Sequence, residues 1–286
     1  MDQFKKILVP FDDNDRSIKA LEYAAMFAAG IGAKITALHV ADPKDYRSKQ
    51  EFQASLKELI NKQLQPVLNR IQKRYTQVLK IDLQVRGMNR SLDEHIVDFA
   101  VEHEIDFMIL RSHGESEEED WESVLKNTTA YQVVLNAPCP VFTFTLVPDL
   151  PQMKNLLVPV DLSEGSLYKI PLAVAIAKQF GATIHVVSAS EHHDDAEDLE
   201  EMNDKLCADL RNQGVKLVKG CVISNTLPAA VLEYSAQHMI DLVLIMSRPG
   251  FRWSDLWVSP KAKRIINLSK VPVLSIRSNV PLEVSL

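Results

Sequence analysis

The chain has 286 residues, 46% hydrophobic and 24% charged, with a net charge of −6. That length fits two domains, each large enough to bury its own core. The acidic balance argues against nucleic acid as an obligate partner, since a phosphate backbone needs a basic face. The first half (1–150) holds 18 Lys+Arg against 23 Asp+Glu, and the second holds 14 against 15. Three scattered cysteines, Cys139, Cys207 and Cys221, give neither a disulfide framework nor a metal spacing, so a reduced cytoplasm is expected. The opening MDQFKKILVP reads as a short strand rather than a signal peptide. No apolar run approaches the ~20 residues of a membrane span, so no membrane contact is expected.

Short apolar runs alternate with longer segments of helical period, which predicts a parallel sheet with crossover helices. In chain order the expected strands are Ile7–Pro10, Ile35–Val40, Ile81–Val85, Phe107–Leu110 and Val141–Leu146. Between them, helices are expected from Ser17 to Ala29, along Leu56, Ile60, Leu64, Leu68 and Ile71, around Ile96, Phe99 and Ala100, and from Thr129 to Leu135. Pro66 should kink or divide the second of these. The stretch TFTLVPDLPQMKN, with Pro148 and Pro151, reads as a linker.

After the linker the sequence repeats itself. KKILVPFDDNDRSIKALEYA returns as KNLLVPVDLSEGSLYKIPLAVA, GAKITALHV as GATIHVVSA, EHEIDFMILRSHG as QHMIDLVLIMSRPG, and NAPCPVFTF as LSKVPVLSI. Asp12 maps to Asp161 and Gly32 to Gly181, each 149 residues apart. Asp106 maps to Asp241 at a spacing of 135, so the second copy has a shorter middle. Leu199, Met202, Leu206 and Leu210 mark its second helix. A duplicated α/β unit follows, with domains expected over 1–147 and 154–280.

In such a sheet, ligands bind beyond the carboxyl ends of the strands where strand order reverses. The loop after the first strand (Asp12, Asp161), the end of the second (Val40, Ala189), and the loop after the fourth (RSHG, SRPG) would line that crevice.

The repeated segments ILVPFD and LLVPVD, the strand end LHV, EIDFMILRSHG, MIDLVLIMSRPG and APCPV together resemble the universal stress protein family in its tandem form. The resemblance covers nearly the whole chain. It implies two domains, each a five-stranded parallel α/β sheet flanked by helices, adenine nucleotide alpha hydrolase-like and Rossmann-like. It also implies a stress-response sensor or interaction module. In the family's ATP-binding members, G-x2-G-x9-G-[S/T] follows strand four, and its backbone N–H groups cradle the phosphates. By that resemblance the candidate ligand contacts are Asp12, Val40, Gly114 and Thr128 in the first copy, and Asp161 and Gly250 in the second.

Both copies depart from the pattern. Arg111 stands at the first glycine position, and twelve residues separate Gly114 from Asn127-Thr128, three too many. The insert places Glu115, Glu117, Glu118, Glu119, Asp120 and Glu122 where a triphosphate would lie. Summed like-charge repulsion there amounts to ~2–3 kcal/mol at most in water. A missing N–H cradle is the larger loss. In the second copy Ser247, Pro249 and Ser259-Pro260 break the pattern, while Trp253 and Trp257 add bulk. Yet Arg248, Arg252, Lys261, Lys263 and Arg264 make this region basic, so an anion can dock by charge. ATP is therefore a cofactor the degenerate motifs leave open, with none required.

Each feature has a plainer reading. Asp12 and Asp161 serve equally as helix N-caps. Asn127-Thr128 and Ser259-Pro260 read as ordinary helix starts. The acidic run is a solvated loop. His192 and His193 lack the fixed geometry of a zinc site, Cys139 reads as a buried inert thiol, and His113 as a solvated loop residue. No nucleophile elbow, Walker lysine or zinc-protease motif appears, so no catalytic residue and no enzyme is expected. The family also pairs domains through strand five. PVFTFTLV and PVLSIRSNV occupy that place, which implies an internal pseudo-dimer with the partner held near ~mM effective concentration. A homodimer of tandem chains and an unidentified protein partner stay open.

Overall fold

Ile7, Leu8 and Val9 are wholly buried in β1 (Lys6–Pro10), as befits a strand covered on both faces. The computed structural model describes residues 4–11, 15–42, 44, 46–74, 80–112, 129–145, 153–161, 164–190, 196–223, 226–248 and 260–277. They fall into two units, one of Asp2–Arg111 with Asn136–Cys139, the other of Ser112–Leu135 with Pro140–Leu286.

In the first unit β1 pairs in parallel with β2 (Lys34–Ala41) and β4 (Phe107–Arg111), and β2 pairs with β3 (Ile81–Gly87). The order β3-β2-β1-β4 reverses between β1 and β4. The crossover helix α1 (Asp15–Ile31) presents Leu21, Ala24, Phe27 and Ala28 to the sheet, and Phe27 stacks on Phe107 of β4. Ile96, Phe99 and Ala100 point inward from α4 (Leu92–Glu102), as their spacing predicts.

Between β2 and β3 the expected break at Pro66 takes a specific form. Helix α2 (Lys49–Leu59) runs into a π-helical turn (Ile60–Leu64), and α3 (Gln65–Arg74) continues from it. Proline lacks an N–H and crowds the carbonyl four residues back; a wider turn just before it accommodates both. The same turn rotates the apolar stripe. Leu59 and Val67 are buried, whereas Ile60, expected on that stripe, is exposed.

The second unit holds β6 (Asn155–Val160), β7 (Thr183–Ser190), β8 (Lys216–Ile223), β9 (Leu242–Arg248) and β10 (Val273–Arg277), parallel to one another. Its order is β5-β10-β9-β6-β7-β8, which repeats the first unit's pattern with a reversal between β6 and β9. The added strand β5 (Val141–Phe144) belongs to the first sequence copy and pairs antiparallel with β10. Thr143 and Thr145 donate from their hydroxyls to the carbonyls of Val273 and Ser269 at 3.3 and 2.6 Å. Nearby, Lys263 of α9 (Pro260–Leu268) lies over the ring of Tyr131 of α5 (Thr129–Asn136).

The crossovers of this unit are α6 (Ile170–Phe180), α7 (Ala196–Asn212) and α8 (Leu227–Gln237). On α7, Leu199 and Leu210 are buried as expected, but Met202 and Leu206 are only half-buried. Asn203 and Cys207 take the inward places between them. The Asn203 amide is satisfied there by the carbonyl of Gly220 at 2.9 Å and the hydroxyl of Ser188 at 3.3 Å.

The repeated aspartates explain themselves structurally. Asp106 Oδ2 accepts from the backbone N–H groups of Lys5 and Lys6, both at 2.9 Å. Asp241 Oδ2 does the same for Lys154 and Asn155, at 2.8 and 2.9 Å. Each carboxylate hooks the start of the first strand of its copy to the turn before the fourth, leaving that turn's geometry fixed. Gly32 and Gly181, with φ of 72° and 67°, end α1 and α6 in the left-handed region that glycine tolerates.

Candidate functional site

Beyond the carboxyl ends of β1 and β6 lies the crevice at each reversal. In the first copy the chain leaves β1 through buried Phe11, whose N–H donates to Leu38 and whose carbonyl meets His39 Nδ1 at 3.0 Å. Val40, near the end of β2, is half-buried and in register with Arg86 of β3. At the end of β4, Ser112 is fully buried, its N–H donates to the Phe144 carbonyl at 2.9 Å, and its hydroxyl has no hydrogen-bond partner among the described residues. Asp12, Gly114 and Thr128 lie outside the described residues, as do His113 and the acidic run 115–122.

The second copy is described further. Asp161 follows β6 directly and is half-buried; its N–H donates to Ser166 Oγ at 3.0 Å. Ser166 sits on a 3-10 segment (Glu164–Lys169) that leads into α6. That segment ends in Lys169, 3% exposed, whose Nζ donates to the Ser166 carbonyl at 2.6 Å and to its Oγ at 3.2 Å. Burial pulls the Lys169 pKa down to about 8, against a smaller upward pull from the Asp161 carboxylate. Pro171 accounts for the tight segment. It has no N–H to donate to Leu167, and its ring would clash with that carbonyl in a continued α-helix, so the α-helix does not extend upstream. Its counterpart in the first copy is Glu22, and there α1 starts six residues earlier in the aligned frame, at Asp15.

Arg248 is the last residue of β9, and the register pairs it with Arg277 of β10, across a bulge that skips Ser247. Ser247 itself is buried and donates to the Ile276 carbonyl at 3.2 Å. Pro260 opens α9, the position its fixed φ suits. Gly250 and Arg252 lie outside the described residues, together with His192, His193, Trp253, Trp257 and Ser259.

With that geometry in place, the sequence model described as the universal stress protein family matches residues 3–144 and 153–277. The chain belongs to that family. A universal stress protein of Methanocaldococcus jannaschii is 24% identical over 140 residues, 48% of this chain and 80% of that protein. Among solved structures, a universal stress protein from Archaeoglobus fulgidus shares 19% identity and covers 97% of this chain and 100% of its own, with a TM-score of 0.74. A functionally unknown protein from Pseudomonas aeruginosa covers 96% of this chain and 92% of its own at 16% identity, with a TM-score of 0.67. At these identities the two structures establish the tandem fold.

Within this universal stress protein fold, the structure brings Asp161 beside a charge that sequence reading missed. Lys169, in LYKIPLAVA, carries no motif that marks it as buried. The signal was the proline two residues later, which breaks the helical register that would have turned Lys169 outward. The other ionisable features carry less chemistry. Cys139 is buried, and burial, then the Asp106 carboxylate, push its pKa well above that of an ordinary thiol. It is therefore a poor nucleophile. Among the described residues, no three His, Cys, Asp or Glu side chains are grouped to hold a metal. None of the described helices is long and apolar enough to cross a membrane.

Proposed function

We propose that the chain is a cytoplasmic, non-enzymatic stress-response module, a sensor or interaction scaffold whose crevices have lost most of the backbone cradle for a triphosphate. The observation that carries this reading is the end of β4. Arg111 stands where a cradle glycine would, and the Ser112 N–H that opens the loop is already spent on Phe144. Antiparallel pairing of β5 with β10 supports an internal pseudo-dimer of the two copies, which stiffens a scaffold without needing a ligand. Calorimetric titration with ATP, with and without magnesium, tests the reading. No heat of binding and no rise in melting temperature at millimolar nucleotide is the expected result. Micromolar binding overturns it, because nucleotide at a hundred times its Kd would stabilise the fold by about 2.7 kcal/mol.

A second reading is favoured by the second copy alone. Arg248 and Arg277 end neighbouring strands in register, and Lys169 lies buried beside Asp161. The sequence around the loop after β9 is basic as well, with Arg248, Arg252, Lys261, Lys263 and Arg264, so this crevice takes an anionic small molecule by charge rather than by main-chain amides.

A further inference from the structure

The crossover between the second and third strands carries opposite charge in the two copies. In the first, residues 49–74 (α2, the π-helical turn and α3) hold six Lys and Arg against two Asp and Glu, a net charge of +4. In the second, residues 196–212 (α7) hold two against six, a net charge of −4. Only part of this charge is spent locally. Lys62 pairs with Glu58, and Arg70 reaches Glu22 of α1 at 2.8 Å. Lys49, Lys57 and Lys73 are exposed and make no ion pair among the described residues. On the other helix, Lys219 of β8 takes Asp204 at 2.7 Å and Glu200 at 3.4 Å, and Lys205 takes Glu201. Glu197, Asp198 and Asp209 are exposed and, among the described residues, unpaired. Leu199, Asn203, Cys207 and Leu210 form the inward face of α7, so its carboxylates spread across the outward one.

We infer that the chain docks on a second copy of itself through these helices, the basic face of α2 and α3 on the acidic face of α7. A face that is merely solvated mixes both signs, because a single-sign surface repels itself. Here each sign is gathered on one of two equivalent helices, and the chain supplies the complement of both. A foreign partner of one charge satisfies one face; a second copy satisfies either. Each helix leads into a strand at the edge of its sheet, β3 or β8, where a neighbouring molecule has access. The contact joins two different patches, so copies add head to tail. Neither crevice needs a ligand for it. Exposed charges attract over about a Debye length, ~30 Å at 0.01 M salt and ~10 Å at 0.1 M, so the contact weakens as salt rises. The overall charge of −6 acts the other way, since it repels copies and salt relieves that repulsion. The two effects have opposite salt dependence.

The test is sedimentation velocity of the full chain, at up to about 100 μM, in low salt (~0.01 M) and in ~0.3 M salt, where exposed pairs are screened. The expected result is self-association in low salt, at least about tenfold weaker in high salt. Two variants turn one face each: Lys49→Glu with Lys57→Glu, and Glu197→Lys with Asp209→Lys. All four positions are exposed, so the core is untouched. Each variant alone should stay monomeric in low salt. Their equimolar mixture should associate, and so should a chain carrying all four changes, because opposite faces are again available. That restoration also shows that the variants are folded. A wild-type chain that is monomeric at every salt concentration overturns the inference. So does association that strengthens with salt, or that survives either reversal. Association lost in both variants and restored neither in the mixture nor in the fourfold chain overturns direct pairing of the two helices.

Discussion

Lys169 Nζ lies 2.6 Å from the carbonyl oxygen of Ser166, inside a segment that excludes water from both. A charge so placed must show in stability. An unfolded lysine titrates near 10.5 and this one at about 8. Below pH 8 the amine is charged in both states, and the folded state bears the full desolvation cost, on the order of 3 kcal/mol. Between pH 8 and 10.5 the unfolded chain holds more protons, so stability rises with pH across that window. Urea denaturation of wild type and Lys169→Met from pH 7 to 10 should show the wild type gaining on the variant as pH rises. Parallel curves would contradict a buried ammonium.

His185 acts in the same sense at lower pH. Its Nδ1 meets the Tyr234 hydroxyl at 3.1 Å in a buried site, with His238 6.2 Å away between ring centroids. Burial, then His238, hold its pKa below the ordinary value of 6.5. A base with a depressed folded pKa is charged first in the unfolded chain, so stability is lost as pH falls below about 6.5. Melting curves from pH 7.5 to 5 should show this loss, reduced in His185→Gln. Tyr234→Phe should cost about 1 kcal/mol at pH 7.5, the worth of one buried hydrogen bond.

The strands were legible because parallel strands buried on both faces write their burial as uninterrupted apolar runs, as Ile7–Val9 and Phe107–Leu110 do. The duplication located Asp106 and Asp241 without revealing their work, since nothing in a sequence says which N–H groups a carboxylate will accept. At Ile60 the stripe departs from expectation for a local reason: a π-helical turn before Pro66 changes the period that the pattern assumes. Asn203 was illegible because a polar residue at an inward position reads as solvent-facing until its partners, here Gly220 and Ser188 on other strands, are known. The strand-end positions of Asp161 and Val40 were legible from the apolar runs that precede them. Lys169 was not, because its burial comes from the 3-10 geometry that Pro171 imposes.

The aspartate hooks should be costly to remove. Asp241→Ala strips two charge-assisted acceptors from the start of β6, and Asp106→Ala does the same for β1. Hydrogen bonds to a charged group contribute ~1.5–3 kcal/mol each, discounted here because both sites are partly in water. A loss of about 2 kcal/mol per variant is expected in urea denaturation. Asp241→Asn keeps one carbonyl acceptor and should lie between. A loss under ~0.5 kcal/mol would mean that water replaces the carboxylate at no cost.

Among the described residues, two non-glycine residues adopt positive φ, Glu104 at 50° and Met239 at 48°, at equivalent places in the two copies, two residues before each hooking aspartate. The left-handed region costs a residue with a Cβ ~1–2 kcal/mol. The recurrence shows that the turn is dictated by the hook that follows it rather than by its own residue. Met239 is also 80% exposed, so its side chain loses little packing when removed. Met239→Gly relieves the strain but gives the unfolded chain more freedom, which offsets ~0.4–1 kcal/mol. The net expectation is a gain of about 0.5 kcal/mol, read as a higher melting temperature, with a smaller gain for Met239→Asn, which tolerates the same region less fully. Destabilisation by both would mean that Met239 makes an apolar contact worth more than the strain, which its exposure argues against.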